Sequence, residues 1–274
     1  MHIGLWLQQA RAGGVARLDA QQLLAHHLGR PRTWLLAHDD EPLAPELRQR
    51  VDADLARRAA GVPLAYLTGE REFHGLALRV DENVLVPRPE TEGLVDWALE
   101  LAATAAAPLP RLADLGTGSG AIALAFKQRA PGFEVWASDR SPAALSVARS
   151  NAQRLQLAVA WLEGDWWEPF AGQQFGIVVS NPPYVAEGDP HLEALRHEPA
   201  AALIAGADGL QALRRIVDGA PQHLPAGGWL LLEHGFDQAA AVAALLRARG
   251  FEPVATRTDL AGQPRLTGGL RPRG

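Results

Sequence analysis

The chain has 274 residues, of which 47% are hydrophobic and none is cysteine, and its formal net charge is −5. This length allows one large core and a smaller one, and the lack of cysteine excludes disulfides, thiol nucleophiles and thiolate metal sites. The acidic balance disfavours generic nucleic-acid binding, and the sequence predicts neither a membrane-spanning helix nor a signal peptide, so we expect a cytoplasmic protein.

The first quarter of the chain has the pattern of short helices. Leu and Ala recur at helical spacing in residues 18–28 and 44–60, and prolines and glycines separate these runs. We predict a small helical bundle over residues 1–69. Apolar and polar residues then alternate around Gly75, which predicts a hairpin or linker over residues 70–87.

From residue 88 onward, helix, strand and turn alternate, which is typical of a mostly parallel sheet covered on both faces. We therefore predict an α/β domain over residues 88–274. Two interpretations of Arg88 and Glu90 at its start remain open. Either Pro87-Arg88-Pro89 stiffens the chain just before a helix whose first turn contains Glu90 and Glu92, or Arg88 helps to form the donor pocket or orders the loop over the substrate.

A glycine-rich turn follows the first predicted strand of this domain. Gly116-Thr117-Gly118-Ser119-Gly120 lies between a strand over residues 111–115 and a helix over residues 121–127. Glycines let the backbone approach a ligand, but the spacing matches neither the dinucleotide fingerprint nor the phosphate-binding loop. A ligand with a ribose and an amino-acid carboxylate, S-adenosylmethionine, fits better. A plain tight turn is the alternative.

Acidic and aromatic side chains follow the neighbouring predicted strands. Asp139 ends the second strand, where a carboxylate can accept both hydroxyls of a ribose, or it caps the helix that begins near Ser141. Asp114 either binds the amino group of the ligand or caps the glycine turn. Trp166-Trp167 follows the third strand, and each tryptophan is a candidate either for the ligand site or for the apolar core.

Asn181-Pro182-Pro183-Tyr184 follows an apolar run over residues 174–180 that is typical of a buried strand. Ligands of open α/β sheets bind at such carboxyl ends. Prolines carry no N–H, so the backbone offers carbonyls here, while Asn181 adds another carbonyl and Tyr184 a flat ring. These groups predict a cradle for a planar –NH2 group. A proline-stiffened turn is the alternative.

The end of the chain carries three further predicted strands, over residues 229–233, 251–257 and 265–270. His234 follows the first of them, and we interpret it as a pocket wall or a hydrogen-bonded core residue rather than a base. The other histidines show no pairing at metal-ligand spacing, so we predict no metal.

Six motifs together resemble the peptide-chain release factor glutamine N5-methyltransferases (the HemK/PrmC group). They are Glu70-Arg-Glu-Phe-His-Gly75, Val86-Pro-Arg-Pro-Glu-Thr-Glu92, Asp114-Leu-Gly-Thr-Gly-Ser-Gly-Ala-Ile-Ala, Asn181-Pro-Pro-Tyr184, Glu233-His-Gly-Phe-Asp-Gln238 and Asp259-Leu-Ala-Gly-Gln-Pro-Arg265. The resemblance extends over essentially the whole chain. His74 departs from it, since we expect a larger aromatic residue there.

The resemblance implies a class I S-adenosylmethionine-dependent methyltransferase fold, with a seven-stranded sheet whose final strand is antiparallel. It implies catalysis by Asn181, Pro182 and Tyr184, which together with Pro183 also bind the substrate. It implies cofactor binding by Gly116, Thr117, Gly118, Ser119, Gly120, Asp139, Trp166 and Asn181, with Trp166 against the adenine. The implied substrate is the glutamine in the Gly-Gly-Gln loop of class I release factors, docked by the helical domain.

Two other functions fit parts of the pattern. A nucleic-acid amino-methyltransferase would stack a flipped adenine or guanine on Tyr184 in the same way, but no basic recognition segment is evident. A cofactor-binding adaptor would not need an intact Asn181-Pro-Pro-Tyr184. We therefore expect a protein methyltransferase that acts as a monomer, with no stable nucleic-acid complex and no membrane association.

Overall fold

The structure, a computed structural model, describes residues 1–104 and 107–273. The chain divides into two units, Met1–Glu70 and Arg71–Gly274. No helix within the described residues has the length and apolar character that crossing a membrane requires.

The first unit consists of short helices around an apolar core that includes Trp6. The helices are α1 (Ile3–Ala12), α2 (Arg17–Leu28), α3 (Arg32–Ala37), α4 (Pro45–Ala59) and α5 (Leu64–Thr68). Gly29 and Gly69 end α2 and α5 in the left-handed conformation, in which glycine meets no steric penalty. The buried Trp6 indole donates to the Asp52 carboxylate over 2.7 Å, so its polar atom is satisfied inside the bundle.

A hairpin of β1 (Glu70–Phe73) and β2 (Leu76–Arg79) precedes the large sheet, as the alternation predicts. Its turn contains His74 at φ 50° and Gly75 at φ 81°. The His74 amide donates to Glu92 over 3.0 Å, and its ring lies 2.9 Å from Asp96. His74 therefore joins the hairpin to the helix that follows, and it lies outside the candidate site.

The described part of the second unit contains a seven-stranded sheet in the order β5-β4-β3-β6-β7-β9-β8. The strands are β3 (Arg111–Leu115), β4 (Glu134–Asp139), β5 (Ala160–Glu163), β6 (Ile177–Ser180), β7 (Trp229–Glu233), β8 (Val254–Thr258) and β9 (Pro264–Leu270). The pairs from β5 to β7 are parallel, and β9 is antiparallel to both of its neighbours. The mostly parallel sheet with an antiparallel final strand is confirmed.

Helices cover both faces of this sheet, because its parallel strands carry apolar side chains on both sides. The helices are α6 (Glu92–Ala103), α7 (Ala121–Arg129), α8 (Pro142–Leu155), α9 (Gln211–His223) and α10 (Ala239–Ala248). Leu112 of β3 packs into the core under α6 and α7, whereas the next residue, Ala113, packs into the core under α9 and α10. Because successive side chains of a strand point to opposite faces of the sheet, alternate residues of each strand enter opposite cores.

The chain order creates a crevice between β3 and β6. From β3 the chain moves outward through β4 to β5, then returns to the other side of β3 as β6. Such a reversal is the point at which open α/β sheets bind ligands, beyond the carboxyl ends of the strands.

Candidate active site

The predicted site residues lie on loops that leave neighbouring strands at the same edge of the sheet. Leu115 pairs with Ser138 on one side and with Ser180 on the other. The Ser180 hydroxyl donates to the Leu115 carbonyl over 2.7 Å, which ties β6 to β3 immediately before both loops begin. The glycine loop and Asn181 therefore start side by side, although 65 residues separate Leu115 from Ser180.

The glycine loop turns tightly at the end of β3. The amides of Gly116 and Thr117 both donate to the Ser138 carbonyl over 2.9 Å, and Gly116, Gly118 and Gly120 all have positive φ. A Cβ on Gly118 would meet nothing within 4 Å, whereas one on Gly120 would lie 3.0 Å from the Trp161 ring. Gly118 thus leaves room for a ligand, and Gly120 permits close packing of the helix.

Trp166 lies across the start of this loop. A Cβ on Gly116 would be 3.3 Å from the Trp166 ring, so glycine lets the indole approach the backbone. Trp166 itself has φ 50°, a value rare for a bulky residue. Its neighbour Trp167 stacks on His223 at 4.6 Å and donates to the Ile216 carbonyl, which is the core role.

Two acidic residues, Asp139 and Asp114, accept hydrogen bonds from the glycine loop. Asp139 accepts from the Gly118 amide and the Ser141 amide, each over 2.9 Å, and burial raises its pKa. Ser141, rather than Asp139, caps α8. Each Asp139 oxygen retains a lone pair, so the carboxylate can still accept from a diol.

Asp114 is fully buried, and Oδ2 accepts from the Thr117 hydroxyl over 2.6 Å. Burial raises its pKa to about 7, although the Thr117 hydroxyl and the Ala123 amide favour the charged form. Its other oxygen, Oδ1, has no partner at hydrogen-bonding distance among the described residues. Asp114 therefore caps the turn and still presents an acceptor that lacks a donor.

A cavity of about 420 Å³ opens above these loops, within the size range of small-molecule sites. The predicted residues that line it are Gly116, Thr117, Gly118, Ser119, Asp139, Trp166, Asn181 and Pro183. Gly120, Pro182 and Tyr184 are not among its lining residues. The cavity also includes residues from the segment before α6 and from the loop after Asn181-Pro-Pro-Tyr184.

Thr91 holds the amide of Asn181. The Asn181 Nδ2 donates to the buried Thr91 hydroxyl over 3.1 Å, and both residues line the cavity. Because the –NH2 end of Asn181 has this partner, its carbonyl oxygen remains to accept from another group. Nothing in the sequence distinguishes Thr91 as the partner of Asn181, because it lies among the prolines and charged residues of its motif without a pattern of its own.

Tyr184 packs toward the sheet. It contacts the core under α9 and α10, and its hydroxyl lies 3.4 Å from Glu233 at the end of β7. Burial raises the pKa of Glu233 to about 7, while Thr91, Tyr184 and Arg265 favour its charged form and Glu90 opposes it. The Tyr184 carbonyl accepts from Gln238 over 3.0 Å. The tetrapeptide is thus anchored from three directions.

Arg88 joins the segment before α6 to the loop that follows Tyr184. Its guanidinium pairs with Glu198, and the other Glu198 oxygen accepts from the Val86 amide over 3.0 Å. The Glu198 side chain is only 3% exposed, whereas that of Arg88 is 33% exposed and lines the cavity. This geometry favours the interpretation in which Arg88 orders a loop over the site.

His234 lies in the core beside this edge. Its Nδ1 donates to the Gly235 carbonyl and its Nε2 accepts from the Thr267 hydroxyl, each over 2.8 Å. Burial lowers its pKa, so the ring is neutral. Both nitrogens are engaged, which agrees with a structural histidine. Within the residues that the structure describes, no three His, Cys, Asp or Glu side chains are arranged so that they could hold a metal ion.

Two family models match the chain. The model described as PrmC N-terminal domain matches residues 6–69, and that described as Methyltransferase small domain matches residues 96–208. Curated relatives cover nearly all of it. The release factor glutamine methyltransferase of Bordetella pertussis is 50% identical over 93% of this chain and 95% of the relative. That of Escherichia coli K12 is 44% identical over 96% of both chains.

Solved structures share the fold at lower identity. The hMettl16 catalytic domain in complex with MAT2A 3′UTR hairpin 6 has a TM-score of 0.59 at 18% identity, covering 80% of this chain and 82% of that one. The T. thermophilus 16S rRNA N2 G1207 methyltransferase in complex with AdoMet and guanosine has a TM-score of 0.56 at 18% identity, with coverages of 74% and 49%. At this identity the likeness concerns the fold alone.

Proposed function

The chain belongs to the release factor glutamine methyltransferase family, and we propose that it transfers a methyl group from S-adenosylmethionine to a glutamine side-chain nitrogen of a release factor. The observation that carries this proposal is the orientation of Asn181 in the cavity between β3 and β6. Its –NH2 group is held by Thr91, so its carbonyl oxygen can accept from an amide N–H.

The site residues fit S-adenosylmethionine. The open side of Gly118 admits a ligand close to the backbone, Asp139 offers acceptors for a ribose, and Trp166 offers an apolar face for adenine. The partnerless Asp114 Oδ1 suits the amino group of the methionine portion. We assign cofactor binding to this set, together with Thr117, Ser119, Gly120 and Asn181.

The chain's own residues position a poor nucleophile. When bound, S-adenosylmethionine supplies an electrophilic methyl group on its sulfonium. An amide nitrogen is a poor nucleophile because its lone pair is delocalised into the carbonyl. Hydrogen-bond acceptors on its two hydrogens increase the electron density on that nitrogen. We assign these acceptors to the Asn181 side chain and the Pro182 carbonyl, with Pro183 shaping the rim. Correct positioning of this kind contributes about 7–11 kcal/mol to lowering a barrier.

Stacking of Tyr184 on the substrate amide stays a prediction. Its ring is partly buried against the core and its hydroxyl lies near Glu233, so its geometry also supports a role in anchoring the tetrapeptide.

We further propose that the acceptor lies in the Gly-Gly-Gln loop of class I release factors, because a loop with two glycines can enter a narrow cleft. The first unit would dock that partner. We propose that the enzyme is cytoplasmic and acts as a monomer. The net charge of −5 supports the further proposal that it forms no stable nucleic-acid complex.

A tritiated methyl-transfer assay tests the function. Purified release factor, free glutamine, duplex DNA and ribosomal RNA are offered separately, and label is expected on the release factor alone. A release factor variant with glutamine replaced in its Gly-Gly-Gln loop is the matched control and should remain unlabelled. Label on nucleic acid but not on release factor would contradict the proposal.

Replacing Asp139 with alanine should weaken S-adenosylmethionine binding by about 10–100-fold, because hydrogen bonds to a charged group contribute about 1.5–3 kcal/mol. Titration calorimetry measures the affinity. Glu163→Ala is the matched control, since Glu163 ends the paired strand β5, is exposed and does not line the cavity. An unchanged dissociation constant for Asp139→Ala would show that Asp139 does not bind the ribose.

A further inference from the structure

Two apolar side chains of the second unit are exposed to solvent although neither contributes to a core. Phe236 is 55% exposed and Leu260 is fully exposed, and no other large hydrophobic residue in the described part of this unit is exposed. Single exposed apolar residues are ordinary on protein surfaces. Here, however, both occur at one edge of the sheet.

That edge is the catalytic one. Phe236 follows β7, whose carboxyl end carries Glu233 beside Tyr184. Leu260 lies in the turn between β8 and β9. Because Glu233 pairs with Leu266 of antiparallel β9, the turn that precedes β9 lies beyond the carboxyl end of β7. Both residues therefore lie at the same edge of the sheet as the cavity, beyond the end of β7.

Arg265 connects the two turns that carry the exposed residues. Its guanidinium carbon lies 5.8 Å from the centre of the Phe236 ring, and its Nε lies 3.3 Å from the Asp259 carboxylate, in the same turn as Leu260. Arg265 thus links the turn that carries Phe236 to the turn that carries Leu260, and we call Phe236, Arg265 and Leu260 together the β7 rim.

Hydrogen bonds hold both turns of the β7 rim in place. Asp259 accepts from the amides of Ala261 and Gln263, each over 2.9 Å, so Leu260 is presented on a braced turn. On the other side, Gln238 accepts from the Gly235 amide and donates to the Tyr184 carbonyl. The turn that carries Phe236 is therefore fastened directly to the tetrapeptide that binds the acceptor amide.

We propose that the β7 rim docks the release factor, with Phe236 and Leu260 contacting apolar side chains of the polypeptide that flanks the acceptor glutamine. This inference rests on the proposed function, because a protein substrate must approach the edge at which Asn181 opens to solvent. A small-molecule or isolated-amide substrate would make no use of exposed apolar side chains on braced turns outside the cavity. Aromatic anchors contribute disproportionately to protein interfaces.

The test compares Phe236→Ser, Leu260→Ser and the double variant with the wild-type chain. Each single change is expected to raise both the KM and the dissociation constant for a release factor about tenfold, as the loss of an interface anchor does. The affinity for S-adenosylmethionine and the kcat at saturating release factor should stay within about twofold of wild type. The melting temperature should stay within about one or two degrees. Gln128→Ser, an exposed change near the amino end of β4, is the matched control.

Dissociation constants for the release factor are measured by calorimetry in the absence of methyl transfer, so docking and catalysis are read separately. Unchanged release factor affinity in the double variant would overturn the docking inference. A parallel loss of cofactor affinity or of melting temperature would overturn it too, because it would show a structural role. If the wild-type chain binds the release factor but does not methylate it, the proposed function fails while the docking inference is still decided by these constants.

Discussion

Replacing Asn181 with alanine should lower kcat about 10²–10³-fold, because removing one oriented polar group from a reacting centre has this effect. S-adenosylmethionine affinity should change far less. The Asn181 carbonyl is the acceptor that the structure leaves available, and alanine has nothing to replace it. Single-turnover kinetics with a release factor, together with calorimetry for the cofactor, measure the two quantities independently. Equal losses of turnover and cofactor affinity would contradict the assigned role.

Thr91 provides the companion variants for this prediction. Thr91→Val removes the hydroxyl that fixes the Asn181 amide at nearly constant volume, so kcat should fall less than in Asn181→Ala. Thr91→Ser retains the hydroxyl and should restore most of the rate. In the Asn181→Ala background, Thr91→Val should have little further effect on turnover, because the group that it orients is gone. Independent, additive effects would separate Thr91 from the positioning of Asn181.

The sequence predicts the parts of this molecule that depend on local chemistry. The glycine spacing predicts a ligand-binding loop after β3, and the strand pattern predicts that Asp139 and Asn181 lie at the same edge, as the strand pairing shows. These features follow from strand periodicity and from turn residues, both of which are local. The antiparallel direction of β9 has no local signature, and only the family resemblance implies it.

The contacts that complete the site are long-range, which is why the sequence does not reveal them. Glu198 lies 110 residues from Arg88, and Thr91 lies 90 residues from Asn181. Side-chain directions in loops depend on such partners. Tyr184 shows the same limit, because its ring contacts the core and Glu233 through tertiary packing that no spacing rule encodes.

Replacing Arg88 with methionine should lower the free energy of unfolding by about 3–5 kcal/mol, because it leaves a buried carboxylate without its partner. The Glu198 side chain is 3% exposed and cannot reach water where it lies. For a domain of this size the loss corresponds to a fall in melting temperature of about 10 °C. Thermal unfolding at pH 8, where free carboxylates are ionised, measures it.

Glu198→Gln should cost less than Arg88→Met, about 1–2 kcal/mol, although both changes break the same ion pair. The Arg88 side chain is 33% exposed, so its charge can return to water, and glutamine still accepts from the Val86 amide. The double variant should therefore be more stable than Arg88→Met alone, because the second change removes the unpaired buried charge. If Glu198→Gln lowers stability more than Arg88→Met does, the cost of burying an unpaired carboxylate does not explain the stabilising effect of this pair. The pair also joins two cavity-lining segments, so S-adenosylmethionine affinity should fall in the same order as stability.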